Sequence, residues 1–359
     1  MFRPEDSLHM IRALNLAERG RLNAHPNPLV GCVVARGPRV LAEGWHDRFG
    51  GDHAEVAALR RAGSRARGAT LYVTLEPCSR WGKTPPCTDA VKAAGVRRVV
   101  IGARDPSLRG GGVAVLKRAG LRVDSGLHQR EVLRQNAAFF KKVKTGLPYV
   151  VVKMAQTLDG KTASRAGASR WITGVRARSL GHRLRAQSDA VMVGGETVRR
   201  DNPGLTSHGR GPDPLRVVLS SSLQFSPRAA VFAQGAPTWV LTGDSSPAAR
   251  KKSLERRGAQ ILSFRSTGGR IRLKEAFRAL ARRGVSRILV EGGGRTAAAV
   301  LEEKLADEAY VFLAPSFLGG VGAPTGVAGR GWPRPAAGPR LKDVGVNRLG
   351  DDVLIHGYF

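Results

Sequence analysis

Cysteine is scarce in this 359-residue chain: Cys32, Cys78 and Cys87 are all it contains. Three are too few for a disulfide framework. In a chain without a secretory leader they read as reduced core residues, metal ligands or nucleophiles. Long apolar runs are absent too, and none approaches the roughly 20 residues of a membrane span. The opening Met1-Phe2-Arg3-Pro4-Glu5-Asp6 leads straight into an amphipathic pattern with no signal-peptide core. The expectation is a cytoplasmic protein with no membrane partner. Acidic residues are few, 28 against 59 Lys and Arg, which leaves a net charge of +31, and aromatics are only 6%. The basic residues fall in scattered pairs such as Arg60-Arg61, Arg199-Arg200 and Lys251-Lys252. Without a basic run or interleaved aromatics, such charge supports only non-specific attraction to polyanions. Specific nucleic-acid binding is therefore not expected. A basic nucleic-acid-associated protein stands as the non-enzyme alternative, and an Arg-rich surface also attracts phosphorylated metabolites.

What is present suits two globular domains: the length exceeds one ordinary core, and apolar content is 42%. Ser7 can cap a helix in which Met10, Ile11, Leu14 and Ala17 share a face, ending at Gly20. Strands are expected over 29–35, 40–45, 70–75 and 96–101. Helices are expected over 53–63, 85–95 and 129–144. Thr145-Gly146-Leu147-Pro148 punctuates the chain and sets domains 1–146 and 147–359. In the second domain, strands are expected over 149–155, 190–194, 215–220, 238–242, 287–291, 309–313 and 351–359. Helices over 176–187 and 273–283 lie between some of them. Alternating strands and helices imply an α/β layered architecture in both halves.

His53-Ala54-Glu55, followed by Pro77-Cys78 and Pro86-Cys87, is the densest chemistry in the chain. One imidazole and two thiolates make a tetrahedral zinc site with its fourth position left for water, the catalytic arrangement. Zinc lowers the pKa of that water toward neutrality. A carboxylate outside the ligand set must then carry its proton, and Glu55 is two residues from the imidazole. Thr84 as cap and Pro85 in the first turn would open a helix at Cys87, where a thiolate forms most easily. The competing reading of Glu55 is a capping box, Asp52-x-x-Glu55. Cys32, inside an apolar strand, reads as core. The pattern H-x-E followed by P-C-x-x-C marks zinc deaminases. Here eight residues separate the two cysteines.

Thr74-Leu75-Glu76-Pro77-Cys78-Ser79, with Gly82-Lys83-Thr84-Pro85-Pro86-Cys87 and His25-Pro26-Asn27-Pro28-Leu29-Val30-Gly31-Cys32, resembles the bifunctional riboflavin-biosynthesis deaminase–reductases. Lys153-Met154-Ala155-Gln156-Thr157-Leu158-Asp159-Gly160-Lys161, Ser169-x-Trp171-Ile172-Thr173 and Asp201-Asn202-Pro203-Gly204-Leu205-Thr206 continue the resemblance, which spans essentially the whole chain. It implies a cytidine-deaminase-like three-layer α/β domain followed by a dihydrofolate-reductase-like domain. It further implies zinc-dependent deamination of a phosphoribosylated diaminopyrimidinone, then NADPH-dependent reduction of the ribosylamino group to ribitylamino. The implied cofactors are Zn2+ and NADPH, and the implied partner is a small phosphorylated pyrimidine, with room for a homo-oligomer. The expected zinc ligands are His53, Cys78 and Cys87, with Glu55 as the expected catalytic residue. Deaminase substrate would be gripped by Asn27, Ser79 and Lys83. NADPH would lie against Ala155, Trp171, Thr197, Asp201, Ser221 and the stretch Gly293, Gly294, Arg295, Thr296, Ala297, Ala298 and Ala299. Reductase substrate would meet Ser169, Arg185, Leu205, His208 and Glu291.

Plainer readings stand beside these. Asn27, between two prolines, is also a turn residue. Gly292-Gly293-Gly294 lets phosphate approach a helix start, but any tight strand–helix connection favours glycine. Three departures from the family pattern matter. Arg80 replaces a histidine after Cys78-Ser79, and Asp105-Pro106-Ser107-Leu108 opens an altered segment reaching Gly112. His208 stands where the family has a substrate-contacting arginine, with Arg210 either its substitute or a loop charge. The first two leave a second enzyme reading open, a reductase whose deaminase domain has drifted.

Overall fold

Strand β1 (Gly31–Arg36) is apolar almost throughout, because both of its faces are covered. Cys32 and Val34 face one cluster with Ala54, Ala58, Leu71 and Ile101, while Val33 and Ala35 face another with Met10, Ala13 and Leu16. The computed structural model describes residues 2–108 and 111–359. It divides into two units, Met1–Thr145 and Gly146–Phe359.

In the first unit β1 turns through Gly37, at φ 57°, into antiparallel β2 (Arg39–Trp45). Then follow β3 (Thr70–Leu75), β4 (Arg98–Ala103) and β5 (Arg122–Ser125), giving the sheet order β2-β1-β3-β4-β5. Helix α1 (Pro4–Ala17) covers one face through Met10, Ala13 and Leu16. Helices α2 (Ala54–Ala62), α3 (Cys87–Ala93) and α4 (Gly112–Arg118) cover the other, which completes three layers. Two more helices, α5 (Gln129–Gln135) and α6 (Ala137–Thr145), occupy the stretch expected as one helix over 129–144. The break is at Asn136, whose side chain accepts from Leu29 N–H at 2.7 Å and donates to the Leu29 carbonyl at 2.9 Å. Ser7 is not a cap. Helix α1 begins at Pro4, and the Ser7 hydroxyl bonds His128 instead.

The second unit holds β6 (Tyr149–Thr157), β7 (Ala190–Gly194), β8 (Leu215–Leu219), β9 (Thr238–Gly243), β10 (Gln260–Phe264) and the small hairpin β11 (Ser266–Thr267) and β12 (Arg270–Ile271). After these come β13 (Arg287–Val290), β14 (Glu308–Ala314), β15 (Lys342–Leu349) and β16 (Asp352–Tyr358). Nine strands form one sheet, β10-β9-β8-β7-β13-β6-β14-β16-β15, parallel from β10 to β14 and antiparallel at its last two pairs. Strands β10 and β15 are additions to the elements expected from sequence. Helices α7 (Val175–Ala186), α8 (Gly195–Asp201), α9 (Ala248–Glu255), α10 (Leu273–Arg282) and α11 (Gly294–Glu302) connect them. Helix α10 shows why: Leu273, Ala276, Phe277 and Leu280 share one face and bury against Val217, Leu241 and Ile288. In such parallel sheets the crevice beyond the carboxyl ends of the strands is where ligands bind. Among the described residues, no helix is long and apolar enough to cross a membrane.

Candidate active sites

In the first unit the ends of β3 and α2 bring together residues far apart in sequence. His53 is the N-cap of α2, Cys78 follows β3, and Cys87 is the first residue of α3. His53 Nδ1 lies 3.0 Å from Cys87 Sγ and 3.5 Å from Cys78 Sγ, and the two sulfurs are 3.4 Å apart. Donor atoms around a tetrahedral zinc are roughly 3.3–3.8 Å apart, given bond lengths of about 2.0–2.3 Å. The donor set is that of zinc, and two of the three separations match this spacing, the His53–Cys87 pair lying about 0.3 Å inside it. The Cys87 thiol, then His53 and the Cys87 N–H, which donates to Cys78 Sγ at 3.2 Å, hold Cys78 well below the ordinary thiol range against the upward push of burial. Cys32 lies in β1, wholly buried and outside the group.

Two local expectations fail at this site. Helix α3 starts at Cys87 with Pro86 as N-cap, so Thr84 is not its cap; the Thr84 hydroxyl instead lies 3.5 Å from His53 Nε2. The capping box also fails, because His53 is the N-cap of α2 and Asp52 pairs with Arg60 at 2.6 Å. That removes the competing duty from Glu55. Its side chain is buried, and burial pushes its carboxyl up to about 7, against the pull of the backbone and His53. A carboxyl that is half protonated near neutrality can both accept and return a proton.

Asn27 is placed by a residue that sequence reading passed over. His46 Nδ1 pairs with the Asp52 carbonyl at 3.0 Å, which leaves Nε2 to accept from Asn27 Nδ2 at 3.0 Å. Burial first of all lowers the His46 pKa, so the ring is neutral there. Its signal, a lone histidine after Gly44-Trp45, was too slight to find. Lys83 lies with Nζ 3.9 Å above the Phe49 ring, and Ser79 is half-buried beside Cys78. Glu76, at the end of β3, binds Arg104, Asp105 N–H and Val113 N–H and so ties down both ends of the altered segment from Asp105 to Gly112. Residues 109 and 110 of that segment lie outside the described residues.

In the second unit a cavity of about 730 Å³ opens at the carboxyl ends of β6, β7 and β13. Ala155, Ser169, Trp171, Arg185, Thr197, Asp201 and Glu291 all line it, as does the run Gly293, Gly294, Arg295 and Thr296. Arg185 grips Glu291 with two parallel bonds, 3.0 and 2.6 Å, and donates to the Thr206 carbonyl at 3.0 Å. Burial alone would raise the Glu291 pKa, but Arg185 and Lys153 outweigh it and keep the carboxylate charged. Ser169 donates to Asp201 at 3.2 Å, and Gly293 N–H donates to Thr197 Oγ1 at 3.2 Å. Two of the three glycines serve packing. A Cβ at Gly292 would come within 2.5 Å of Thr296 Cβ, and one at Gly294 within 2.3 Å of the Thr325 carbonyl.

Other expected residues do not line this cavity. Ala297 and Ala298 are buried along α11, and Ala299 packs against the core from the same helix. Ser221 lies beyond β8, Leu205 is buried, and His208 is exposed outside the cavity lining. Lys153, Arg178 and His182 line the cavity without having been singled out, as do Thr325 and Gly326 from a distant loop.

Fold and sites together define a deaminase with a zinc-type donor set joined to a sheet-based reductase. Residues 3–103 match the cytidine and deoxycytidylate deaminase zinc-binding region, and residues 148–355 match the RibD C-terminal domain. The chain is 38% identical to riboflavin biosynthesis protein RibD of Bacillus amyloliquefaciens, over 98% of this chain and 95% of that one. Acinetobacter baumannii RibD superposes with a TM-score of 0.88 at 34% identity, covering 99% of this chain and 98% of that one. A Thermotoga maritima structure described as a diaminohydroxyphosphoribosylaminopyrimidine deaminase/5-amino-6-(5-phosphoribosylamino)uracil reductase gives 0.85 at 34% identity, with the same coverage. The chain belongs to the RibD family, the bifunctional deaminase–reductases of riboflavin biosynthesis.

Proposed function

We propose that the Met1–Thr145 unit deaminates a phosphoribosylated diaminopyrimidinone by hydrolysis, and that the Gly146–Phe359 unit then reduces its ribosylamino group to ribitylamino. The observation that carries this reading is the convergence of His53, Cys78 and Cys87 within 4.8 Å, with buried Glu55 beside them. His53, Cys78 and Cys87 would hold zinc, which when bound supplies the Lewis acidity that ionises water near neutral pH. Glu55 would carry the two protons of the attacking water, one to the ring nitrogen beside the carbon attacked and one to the exocyclic amine, which leaves as ammonia. Asn27, its amide oriented by His46, presents its oxygen to the pyrimidine, and Lys83 and Ser79 complete the grip.

In the second unit Ala155, Trp171, Thr197, Asp201 and the start of α11 would hold NADPH, which supplies the hydride. Ser221 and Ala297 to Ala299 support that site from outside the cavity, and Leu205 shapes the loop over the substrate. Ser169, Arg185 and Glu291 orient the pyrimidine, with the Arg185–Glu291 pair fixing both side chains. A cytoplasmic location follows, because NADPH and the phosphorylated substrate are intracellular metabolites.

The test is incubation with the diaminopyrimidinone phosphate and NADPH, following ammonia and NADPH oxidation separately. Both signals are expected, ammonia first. NADPH oxidation only when the deaminated intermediate is supplied would replace this reading with a drifted deaminase, the outcome that Arg80 and the altered 105–112 segment would favour. Salt-sensitive polynucleotide binding without either signal would replace it with the nucleic-acid alternative.

A further inference from the structure

One end of the reductase cavity is a cationic corner. Lys153 of β6 and His182 and Arg185 of α7 line it, with Glu291 as the acid among them. Arg185 is already committed to Glu291 and the Thr206 carbonyl. His182 stacks on His208, with ring centroids 4.0 Å apart and planes at 22°. The loop that delivers His208 is held in shape. Ser207 N–H donates to Asp213 at 2.6 Å, and the Ser207 hydroxyl donates to the Gly211 carbonyl at 2.7 Å. Leu205 and His208 take φ of 57° and 53°. Such values persist in non-glycine residues only where surrounding structure over-determines them. The loop is therefore built to lay one imidazole on the other.

Two stacked imidazoles cannot both be charged cheaply, because like charges at this distance oppose each other's ionisation. Burial, then His208 and Arg185, push His182 down to about 4. An anion in the corner reverses that balance, since an opposite charge within about 4–6 Å favours the protonated ring.

We propose that the stacked pair His182–His208 is the proton-dependent recognition element for the phosphate of the reductase substrate, in place of a permanently charged side chain such as Arg210. The inference rests on the function proposed above for the Gly146–Phe359 unit. The charged groups facing the pair are Lys153 from β6, Arg185 from α7, Glu291 after β13 and Asp213 from the loop, with Arg216 of β8 behind Asp213. Lysine, arginine and ionised carboxylate hold their charge through neutral pH, so any proton taken up with the anion falls to the imidazole stack. A phosphomonoester gains its second charge near pH 6. Affinity should peak where the dianion meets a singly protonated pair and decline as pH rises further. The 2′-phosphate of NADPH carries the same chemistry, so the test must separate the two sources.

The experiment measures KM for the deaminated phosphoribosylamino pyrimidine and for NADPH from pH 6 to 9, on the full chain and its His208→Arg and Arg210→Ala variants. The pyrimidine KM is expected to rise on the alkaline side, by up to about tenfold per pH unit for one lost proton, with kcat little changed. His208→Arg should flatten that rise. Proton NMR of the imidazoles, assigned with His182→Asn and His208→Asn, should show inorganic phosphate raising the titration midpoint of the pair. A flat wild-type KM, the same slope in His208→Arg, or a slope carried by NADPH would overturn the proposal. So would Arg210→Ala abolishing the pH dependence, or imidazoles unmoved by phosphate. Failure of the underlying function is distinguishable: imidazoles that respond to phosphate in a protein that never oxidises NADPH would support the anion-binding pair and reject the reductase reading.

Discussion

Cys87 and Cys32 are both buried cysteines, yet removing them should have opposite consequences. Cys87 supplies one of three donor atoms within 4.8 Å, whereas Cys32 of β1 is packed in a cluster with apolar side chains of α2, β3 and β4. Cys87→Ala should lose stoichiometric zinc and ammonia release together, while Cys32→Ala keeps both; metal analysis of the purified variants decides it. Glu55 is held outside the donor set and poised to exchange a proton. Glu55→Gln should keep zinc but lower the deamination rate by at least about 100-fold, the usual scale for general acid/base catalysis. Normal turnover with reduced thermal stability would show that the carboxyl serves only the fold.

Helix α1 is tied to the first sheet by a buried network that crosses three strands. Arg98 of β4 donates to both oxygens of Asp6, at 2.8 and 2.9 Å, and to Asp124 of β5 at 2.7 Å. Tyr72 of β3 donates to Asp6 at 2.7 Å. Burial would raise the Asp6 pKa, but Arg98, Arg3 N–H and Tyr72 together hold it below the ordinary value. A carboxylate with a depressed folded-state pKa stabilises the protein above its unfolded pKa and ceases to do so as pH falls through the lower, folded value. The protection of the β3 and β4 amides, with exchange rates corrected for their intrinsic pH dependence, should therefore fall on acidification below about pH 4, and less so in Asp6→Asn. Asp6→Ala leaves the Arg98 charge buried with one partner fewer, and should cost about 3–5 kcal/mol of unfolding free energy, measured by urea titration. Equal stability of Asp6→Ala and wild type would refute the network's role.

At the scale of the whole molecule, each unit has its own sheet and its own buried clusters. A chain beginning at Leu147 should fold and oxidise NADPH with the deaminated intermediate, unaffected by chelator. No cysteine occurs after Cys87, so thiolate zinc chemistry is confined to the first unit. Soluble, folded protein without activity on that intermediate would reject independence of the two units.

Sequence alone determined what is written locally. The zinc donors lie in two short motifs at the end of β3 and the starts of α2 and α3, and strongly patterned elements such as β1 and α10 announce themselves by what they bury. Strand β15 did not, because it is exposed along nearly its whole length and has no alternation to read. The break at Asn136 was invisible because its cause, the Leu29 backbone, lies 107 residues away. His46 beneath Asn27, the Thr325 loop over α11 and the stacking of His182 on His208 were likewise decided only by tertiary structure. A side chain's orientation and charge depend on which neighbours exclude water from it, and those neighbours are assembled by the fold rather than by adjacency in the chain.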